Sequence, residues 1–258
     1  MGMTRFSGAL ICFLVCSGPA GGQQGRGASG FEWSRHMPAG STITVRNSDG
    51  FIHVRESTSD RVQVRATKVR GSRGSVNDVA FNVDESRGGV TICTLYDRQQ
   101  SCGDRNRSSR STSVRVDYTV LVPRDIRVDV STGRGEIDVE RAGSAVSAAT
   151  GAGRVFVATD RGPVSVSSGS GDVDIRIQSA SADADVAAVT GLGLIRVSLP
   201  PDFNGEIDAQ SENGTLRSDF DITIFGRIEA RHVRGTIGRG GPRIRLQTGN
   251  GRIELRKS

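Results

Sequence analysis

Apolar residues recur through the middle of this chain at a fixed interval, with polar residues between them. Each member of the series follows the one before it by nine residues: Val128, Ile137, Val146, Val155, Val164 and Val173. Around each member apolar and polar positions alternate, which is the pattern of a strand with one buried face. Since one short strand and one corner fill such a unit, two units would make a coil of about eighteen residues. The pattern predicts coils stacked on copies of themselves.

A short repeated phrase marks the corners between these strands. It reads Thr or Ser, then Gly-x-Gly, then two aliphatic residues separated by one position, and it occurs at 132–139, 150–157, 168–175, 190–197 and 248–255. Glycine suits a corner because a positive φ or a close backbone approach leaves no room for a Cβ. Helices should be nearly absent, since no segment of useful length has a helical apolar stripe. We predict an all-β, single-domain β-solenoid, β-helix-like, with short strands, half-coils of roughly nine residues and glycine corners.

The series continues less evenly towards the end of the chain. Its later members are Val186, Ile195, Ile207, Leu216, Ile228, Ile237, Ile244 and Ile253. The longer steps fall where 179–183 and 200–204 would form loops. We expect these aliphatic residues to follow one another as further half-coils of the same stack.

The earlier part of the chain has the same alternation with one interruption. Strands are predicted at 41–45, 51–54 and 61–64, and another at 114–122, where Pro123 removes a ladder donor and ends it. Between them, roughly at 71–113, we predict a protruding hairpin with a mobile loop, inserted into a domain that covers 37–258.

The first residues have the order of a secretory signal peptide. Arg5 precedes the apolar run 9–16, and a helix-breaking Ser-Gly-Pro and small residues follow. We predict a signal peptide at 1–22, export to the periplasm, the cell surface or the medium, and no transmembrane helix in the mature chain, because the run is shorter than about 20 residues. A lipoprotein stays open, although Val15 fits poorly before Cys16. The Gly- and Gln-rich segment 23–36 reads as a flexible linker.

Two cysteines remain after removal of the signal peptide. Cys93 and Cys102 enclose eight residues, and an even pair in an exported protein predicts a disulfide. Closing such a loop would stabilise the fold by about 2–3 kcal/mol. No nearby His or Cys pair completes a tetrahedral metal site.

Charge changes this picture little. The formal net charge of +6 is carried almost wholly by arginine, with acidic residues interspersed, so no basic block indicates nucleic acid. Arg105, Arg107 and Arg110 form a possible patch for an anionic envelope polymer; the alternative is a solvated loop.

Outward residues one coil apart are Asp138, Phe156, Asp174 and Arg196. This mixed row argues against a repetitive crystalline ligand and leaves a protein partner open.

Catalytic and metal-binding motifs are not evident. The Gly-x-Gly phrases lie between strands and lack the Lys-Ser/Thr that reaches phosphate. A carbohydrate-active β-helix enzyme is one alternative, because Asp172 and Asp174, and likewise Asp183 and Asp185, stand two apart. A calcium-binding β-roll is another, but it needs an Asp in successive turns and only Asp172 fits. The three histidines are scattered. We predict no catalytic residue, no cofactor and no bound metal.

The phrases taken together resemble a known bacterial family. Val116-x-Tyr118-x-Val120-x-Val122-Pro123, the repeated Thr/Ser-Gly-x-Gly units, the Leu-Pro-Pro at 199–201 and the ending 240–255 are similar to the "putative adhesin", or toastrack, β-strand-repeat family over roughly 40–256. The resemblance implies an exported, coiled β-solenoid without established enzymatic activity, and it supplies no catalytic motif. We therefore expect a non-enzymatic interaction module of the cell envelope or extracellular space, whose partner is an envelope protein or a polysaccharide.

Overall fold

The structure is a computed structural model that describes residues 25–27, 30–96, 102, 113–179, 185–224 and 231–258. In these residues the chain is all-β, with two long sheets of eleven strands each and one short 3₁₀ helix, Val76–Asp78. The described residues contain no helix with the length and apolarity that crossing a membrane requires. The two sheets enclose a common core of buried aliphatic side chains.

The strands are short and numerous. Those before residue 125 are β1 (Gly25–Gly27), β2 (Gly30–His36), β3 (Thr42–Arg46), β4 (Ile52–Glu56), β5 (Arg61–Val69), β6 (Ala80–Ser86), β7 (Gly89–Leu95) and β8 (Arg115–Val122). The central ones are β9 (Arg127–Arg134), β10 (Ile137–Ala142), β11 (Val146–Ala152), β12 (Val155–Thr159), β13 (Val164–Ser170), β14 (Val173–Ile177), β15 (Val186–Leu192) and β16 (Ile195–Leu199). The last are β17 (Gly205–Asn213), β18 (Leu216–Ser218), β19 (Ile222–Ile224), β20 (His232–Ile237), β21 (Arg243–Asn250) and β22 (Ile253–Lys257).

The strand order shows two open sheets. Sheet A runs β1-β2-β5-β8-β4-β10-β12-β14-β16-β22-β18, and sheet B runs β19-β20-β17-β21-β15-β13-β11-β9-β3-β7-β6. Within the described residues, β1 and β18 are the edges of sheet A, and β19 and β6 are the edges of sheet B.

The central strands confirm the predicted nine-residue period. Consecutive strands from β9 to β16 alternate between the two sheets and pair in parallel with the strand two places on. Val146 therefore lies beside Val128 on one side and Val164 on the other, and Val155 lies beside Ile137. All five side chains are buried between the sheets. Because the pairing is in register, each position of one coil stacks on its counterpart in the next.

The contacts at the corners explain why the repeated phrase contains both glycine and a hydroxyl residue, Thr or Ser. Gly153 has a φ of +148°, and a Cβ placed on it would come within 2.1 Å of the carbonyl oxygen of Gly135 in the preceding coil. The hydroxyl of Thr150 donates to that same oxygen at 3.0 Å. Ser168 repeats the contact one coil later, donating to the Gly153 carbonyl at 3.1 Å. The backbone carbonyl of the preceding coil can come close because the glycine has no Cβ, and the Thr or Ser hydroxyl donates a hydrogen bond to it.

The expectation that the last aliphatic residues follow one another in the stack is wrong. The C-terminal strands insert between earlier ones: β21 lies between β15 and β17, and β22 between β16 and β18. Ile207 accordingly pairs with Ile244, and Leu216 with Ile253, whereas Ile237 lies on antiparallel β20. Ile228 lies outside the described residues. The nine-residue period could not predict this strand order, because the inward aliphatic residues of different coils are interchangeable.

The N-terminal coil is enclosed in the same way. β3 lies between β7 and β9, and β4 lies between β8 and β10. The predicted hairpin at 71–113 exists as antiparallel β6 and β7, but β7 also pairs in parallel with β3, and Val90 and Ile92 are buried. The prediction of a protruding insertion is therefore wrong for β7, which belongs to sheet B. Residues 97–112, except Cys102, lie outside the described part.

The predicted flexible linker at 23–36 is wrong for 25–27, which form β1, and for 30–36. Residues 30–36 form β2, which pairs antiparallel with β5. Trp33 is only 3% exposed, and the ring of Phe31 stacks on that of Phe81 with centroids 5.0 Å apart. Burial of two aromatic side chains stabilises the strand by several kcal/mol, about 2 per side chain, which the Gly- and Gln-rich composition before them did not indicate.

Candidate functional site

The predicted site residues fall into two groups. Cys93 on buried β7 forms a disulfide with Cys102, with the Cα atoms 5.6 Å apart, as predicted. Arg105, Arg107 and Arg110 lie outside the described residues, so the proposed anionic-polymer patch stays a prediction.

The acid pairs considered for catalysis serve the backbone or lie among arginines. Asp172 accepts a hydrogen bond from the backbone N–H of Leu194 at 2.8 Å, which ties two coils together. Asp185 accepts from the backbone N–H of Arg243 at 2.6 Å. Asp183 is outside the described residues. The fourth, Asp174, is buried on sheet A and is described below.

Each histidine lies near an aspartate, which its position in the sequence did not indicate. His232 on β20 contacts Asp208 on β17, with Nε2 2.7 Å from the carboxylate, and Arg234 lies 3.3 Å from the same group. His53 lies 3.9 Å from Asp138. Among the described residues no three His, Cys, Asp or Glu side chains come close enough together to hold a metal ion.

The outer face of sheet B carries a shallow groove, here called the sheet-B groove. Its volume is about 530 Å³, and it is lined by Thr42, Arg127, Val128, Asp129, Ala145, Val146, Ser147, Pro163, Val164, Ser165, Asp185, Val186, Ala187, Arg243 and Arg245. The outward residues of the central strands are small, so the longer side chains at the two ends form its walls. A second hollow of about 410 Å³ shares Arg243 and Arg245 with it and extends towards β20.

The charged residues of the groove are spaced along it, and one at each end forms an ion pair. Asp129 at one end binds Arg46 through two hydrogen bonds, at 2.7 and 3.1 Å. Nε of Arg243 at the other end lies 3.2 Å from the Glu206 carboxylate. β9, which carries Asp129, and β15, which follows Asp185, are three strand spacings apart, or about 14 Å. The two groove carboxylates therefore do not converge on one point.

The outer face of sheet A shows the row that the sequence analysis placed one coil apart. Asp138, Phe156, Asp174 and Arg196 pair in register, and Glu254 follows Arg196 on inserted β22. The two acids at the centre of this face, Asp174 and Glu254, have side chains that are only 8% and 4% exposed.

Five arginines surround these two buried carboxylates; we call them the arginine ladder. They are Arg154, Arg176, Arg196, Arg252 and Arg256. Asp174 has three of them within 3.6–3.9 Å, and Glu254 has three within 3.2–3.4 Å. Arg196 is shared, because it reaches both carboxylates. Phe156 extends the cluster, since Arg154 and Arg176 lie 5.7 and 5.0 Å from its ring centroid.

The arginines control the ionisation of Glu254. Burial raises the pKa of this carboxyl, but hydrogen bonds from Arg256, Arg196 and Arg252 outweigh burial, so its pKa lies below the ordinary value. The contacts of Asp174 are of another kind: its Oδ1 is buried and accepts no hydrogen bond, and its arginines lie at ion-pair distance. The sequence analysis missed this cluster: Arg252 and Arg256 come beside Arg196 only through the insertion of β22.

A family model and a solved structure are similar to this chain over most of its length. The family model described as Toastrack DUF4097 matches residues 41–256. Among solved structures, a "putative cell adhesion protein" from Clostridium sporogenes is 13% identical, covers 88% of this chain and 99% of its own, and has a TM-score of 0.50. Two structures described as a "putative adhesin" match at lower TM-scores. The one from Bacteroides fragilis has a TM-score of 0.29 and is 9% identical, covering 89% of this chain and 97% of its own. The one from Parabacteroides distasonis has a TM-score of 0.30 and is 10% identical, covering 87% of this chain and 96% of its own.

At such identities the Clostridium likeness shows the fold alone. No curated protein shows a significant match to the chain. The family match, in contrast, spans most of the sequence and includes every repeated corner phrase. The resemblance inferred from those phrases is thereby confirmed, and the chain belongs to the Toastrack DUF4097 family.

Proposed function

We propose that this protein is an exported, non-enzymatic interaction module of the cell envelope or extracellular space, built on a β-solenoid. The sheet-B groove carries this proposal, because it is an open, extended surface that crosses several coils and has small residues at its centre. Such a surface suits an extended segment of a protein or a polysaccharide chain. The alternation of parallel strands between two sheets supports the solenoid description.

Export rests on the predicted signal peptide at 1–22, which lies outside the described residues. The disulfide agrees with an oxidising compartment. Periplasm, cell surface and medium remain alternatives, as does a lipoprotein. Of the predicted flexible linker, only 23–24 and 28–29 remain a prediction, because they lie outside the described residues.

The geometry favours binding over glycoside hydrolysis. A pair of catalytic carboxylates stands about 5–9.5 Å apart, and one of them needs a raised pKa. Asp129 and Asp185 lie on strands separated by about 14 Å, and each already accepts hydrogen bonds, from Arg46 and from the Arg243 backbone respectively. A calcium β-roll is disfavoured because the corner positions beside Asp172 are held by Arg154 and Leu194, which offer no carboxylate.

Filling the groove tests the proposal. Ser165 is exposed near the middle of the groove, and Ser165→Trp would fill it; Ser179→Trp is the control, at an exposed position outside it. The mature protein and both variants are assayed for binding to isolated envelope proteins and to neutral and acidic polysaccharides. We expect a component that binds the wild type and the control, and binds the groove variant about tenfold more weakly, as loss of about 1.4 kcal/mol would produce.

Three results would contradict the proposal. Absence of binding to every envelope component would remove the interaction role, and release of new reducing ends from a polysaccharide would favour the enzyme. A large fall in melting temperature in excess chelator would favour the calcium β-roll.

A further inference from the structure

The arginine ladder presents positive charge to solvent while its acids lie beneath. The arginine side chains are between 39% and 56% exposed, against 8% for Asp174 and 4% for Glu254. Asp219, which lies 3.7 Å from Arg256, is a third carboxylate beside the ladder, so the five guanidinium groups leave a local charge of +2. A ligand approaching this face therefore meets guanidinium groups first.

Much of the hydrogen-bonding capacity of these guanidinium groups is unused. Each carries five N–H donors in a planar fork. The three arginines around Asp174 are held at 3.6–3.9 Å, which is ion-pair distance, and Asp174 Oδ1 accepts no hydrogen bond. The buried acids hold the cationic groups in place, so a bound anion would not have to order them.

The guanidinium groups form two clusters, one around Asp174 and one around Glu254, and Arg196 belongs to both. Asp174 on β14 and Glu254 on β22 are in register, with β16 between them. Because adjacent strands are about 4.8 Å apart, the two clusters are centred about 10 Å from each other. A ligand that matches the two clusters is a chain whose anionic groups can reach both.

We propose that the arginine ladder binds a linear polysaccharide that carries a carboxylate on each sugar residue, a polyuronate. The planar guanidinium fork matches a carboxylate in a bidentate manner. This inference deepens the proposed function and rests on it for export, because such polymers lie outside the cell. It does not depend on the sheet-B groove, which is on the other sheet.

A broad anionic surface fits the same face less well. Beside Arg154 and Phe156, the neighbouring strand β10 carries Asp138 and Glu140, and Glu136 immediately precedes it. A flat bilayer of anionic lipid would contact these acids together with the ladder, whereas a single polymer strand can follow the arginines alone.

Binding of polygalacturonate to the mature protein tests the proposal, with fully methyl-esterified polygalacturonate as the uncharged probe. We expect binding of the acid form only, weakened by added salt. The double variant Arg154→Gln/Arg176→Gln should bind about tenfold more weakly, since two charge-assisted hydrogen-bonding groups are lost. The control Arg70→Gln/Arg239→Gln removes the same charge at exposed positions outside the ladder and should bind like the wild type.

Three outcomes would overturn the proposal: no binding of polygalacturonate by the folded wild type, equal weakening in both double variants, or binding of phosphatidylglycerol vesicles without binding of polygalacturonate. Denaturation midpoints of both variants establish that they are folded. If polyuronate binding by the ladder is overturned, the groove variant Ser165→Trp still tests the interaction role separately. Failure of this inference is therefore distinguishable from failure of the proposed function.

Discussion

At the residue scale, each corner is a contact between two coils. The second glycine of the phrase brings its backbone against the carbonyl of the glycine one coil earlier, and the hydroxyl of the Thr or Ser donates to that carbonyl, as Thr150 and Gly153 do with Gly135. Thr190 continues the series by donating to the Gly171 carbonyl at 2.9 Å. The phrase recurs because stacking repeats the same contact.

Replacing a corner glycine should lower the free energy of unfolding by more than the unfavourable positive φ alone would. We expect Gly153→Ala to lower the free energy of unfolding by about 3 kcal/mol or more, because the added Cβ combines an unfavourable positive φ with a clash against backbone. Gly40→Ala is the matched control: its φ is +78° but nothing lies within 4 Å of the added Cβ. Its expected cost is about 1 kcal/mol. Chemical denaturation measures both, and equal losses would show that the corner contact is unimportant.

At the element scale, the coil of β21 and β22 lies inside the stack. Each of these two strands has a parallel neighbour on both sides. β3 and β4 are enclosed similarly near the other end. An enclosed strand shares its ladder and core with two neighbours, which limits local opening of that strand.

Hydrogen exchange can detect this enclosure. Amide protons of residues 244–250 should exchange about as slowly as those of central β13, because both strands are bonded on two sides. The edge strand β6 supplies the comparison, since it pairs only with β7 among the described residues and should exchange faster. Rapid exchange at β21, at the rate of β6, would contradict the inserted order.

At the scale of the whole molecule, the two outer faces differ in chemistry. The centre of the sheet-B face has small uncharged residues such as Ser147, Ser165 and Ala187, whereas the corresponding region of sheet A has the arginine ladder over buried acids. The net charge of +6 does not report this division, because a total says nothing about where on the surface the charges lie.

The buried acids make stability depend on pH. Burial raises the pKa of Glu254, yet hydrogen bonds from Arg256, Arg196 and Arg252 hold it below its ordinary value of 4.5. A lowered pKa in the folded state stabilises the fold above pH 4.5, and this stabilisation is lost as the pH falls through the lower folded value. We expect Glu254→Gln to lower the free energy of unfolding at neutral pH by about 1–3 kcal/mol, with the difference from wild type shrinking in acid.

The matched control for this prediction is Glu32→Gln, because Glu32 pairs with Arg65 in an exposed ion pair. An exposed pair contributes about 0–1 kcal/mol, so the control should change stability little. A Glu254 variant that matched the control at neutral pH, or whose deficit grew in acid, would contradict this account of the ladder.

The sequence by itself determined the strands, their alternation and their corners. These follow from local rules: period-two alternation sets the buried face, and glycine sets the corner, as the pairing of Val128 with Val146 confirms. The spacing of Cys93 and Cys102 also sufficed to predict their disulfide. The strand at 30–36 escaped prediction because the glycines before it outweighed the two aromatic residues within it.

Tertiary structure alone decided the order of the coils and, with it, the arginine ladder. Any coil with inward aliphatic residues can stack on any other, so local pattern carries no information about which neighbours it takes. Arg196 and Glu254 are 58 residues apart in the chain and meet only because β22 inserts beside β16. The ladder therefore depends on long-range strand pairing, which the nine-residue period does not encode.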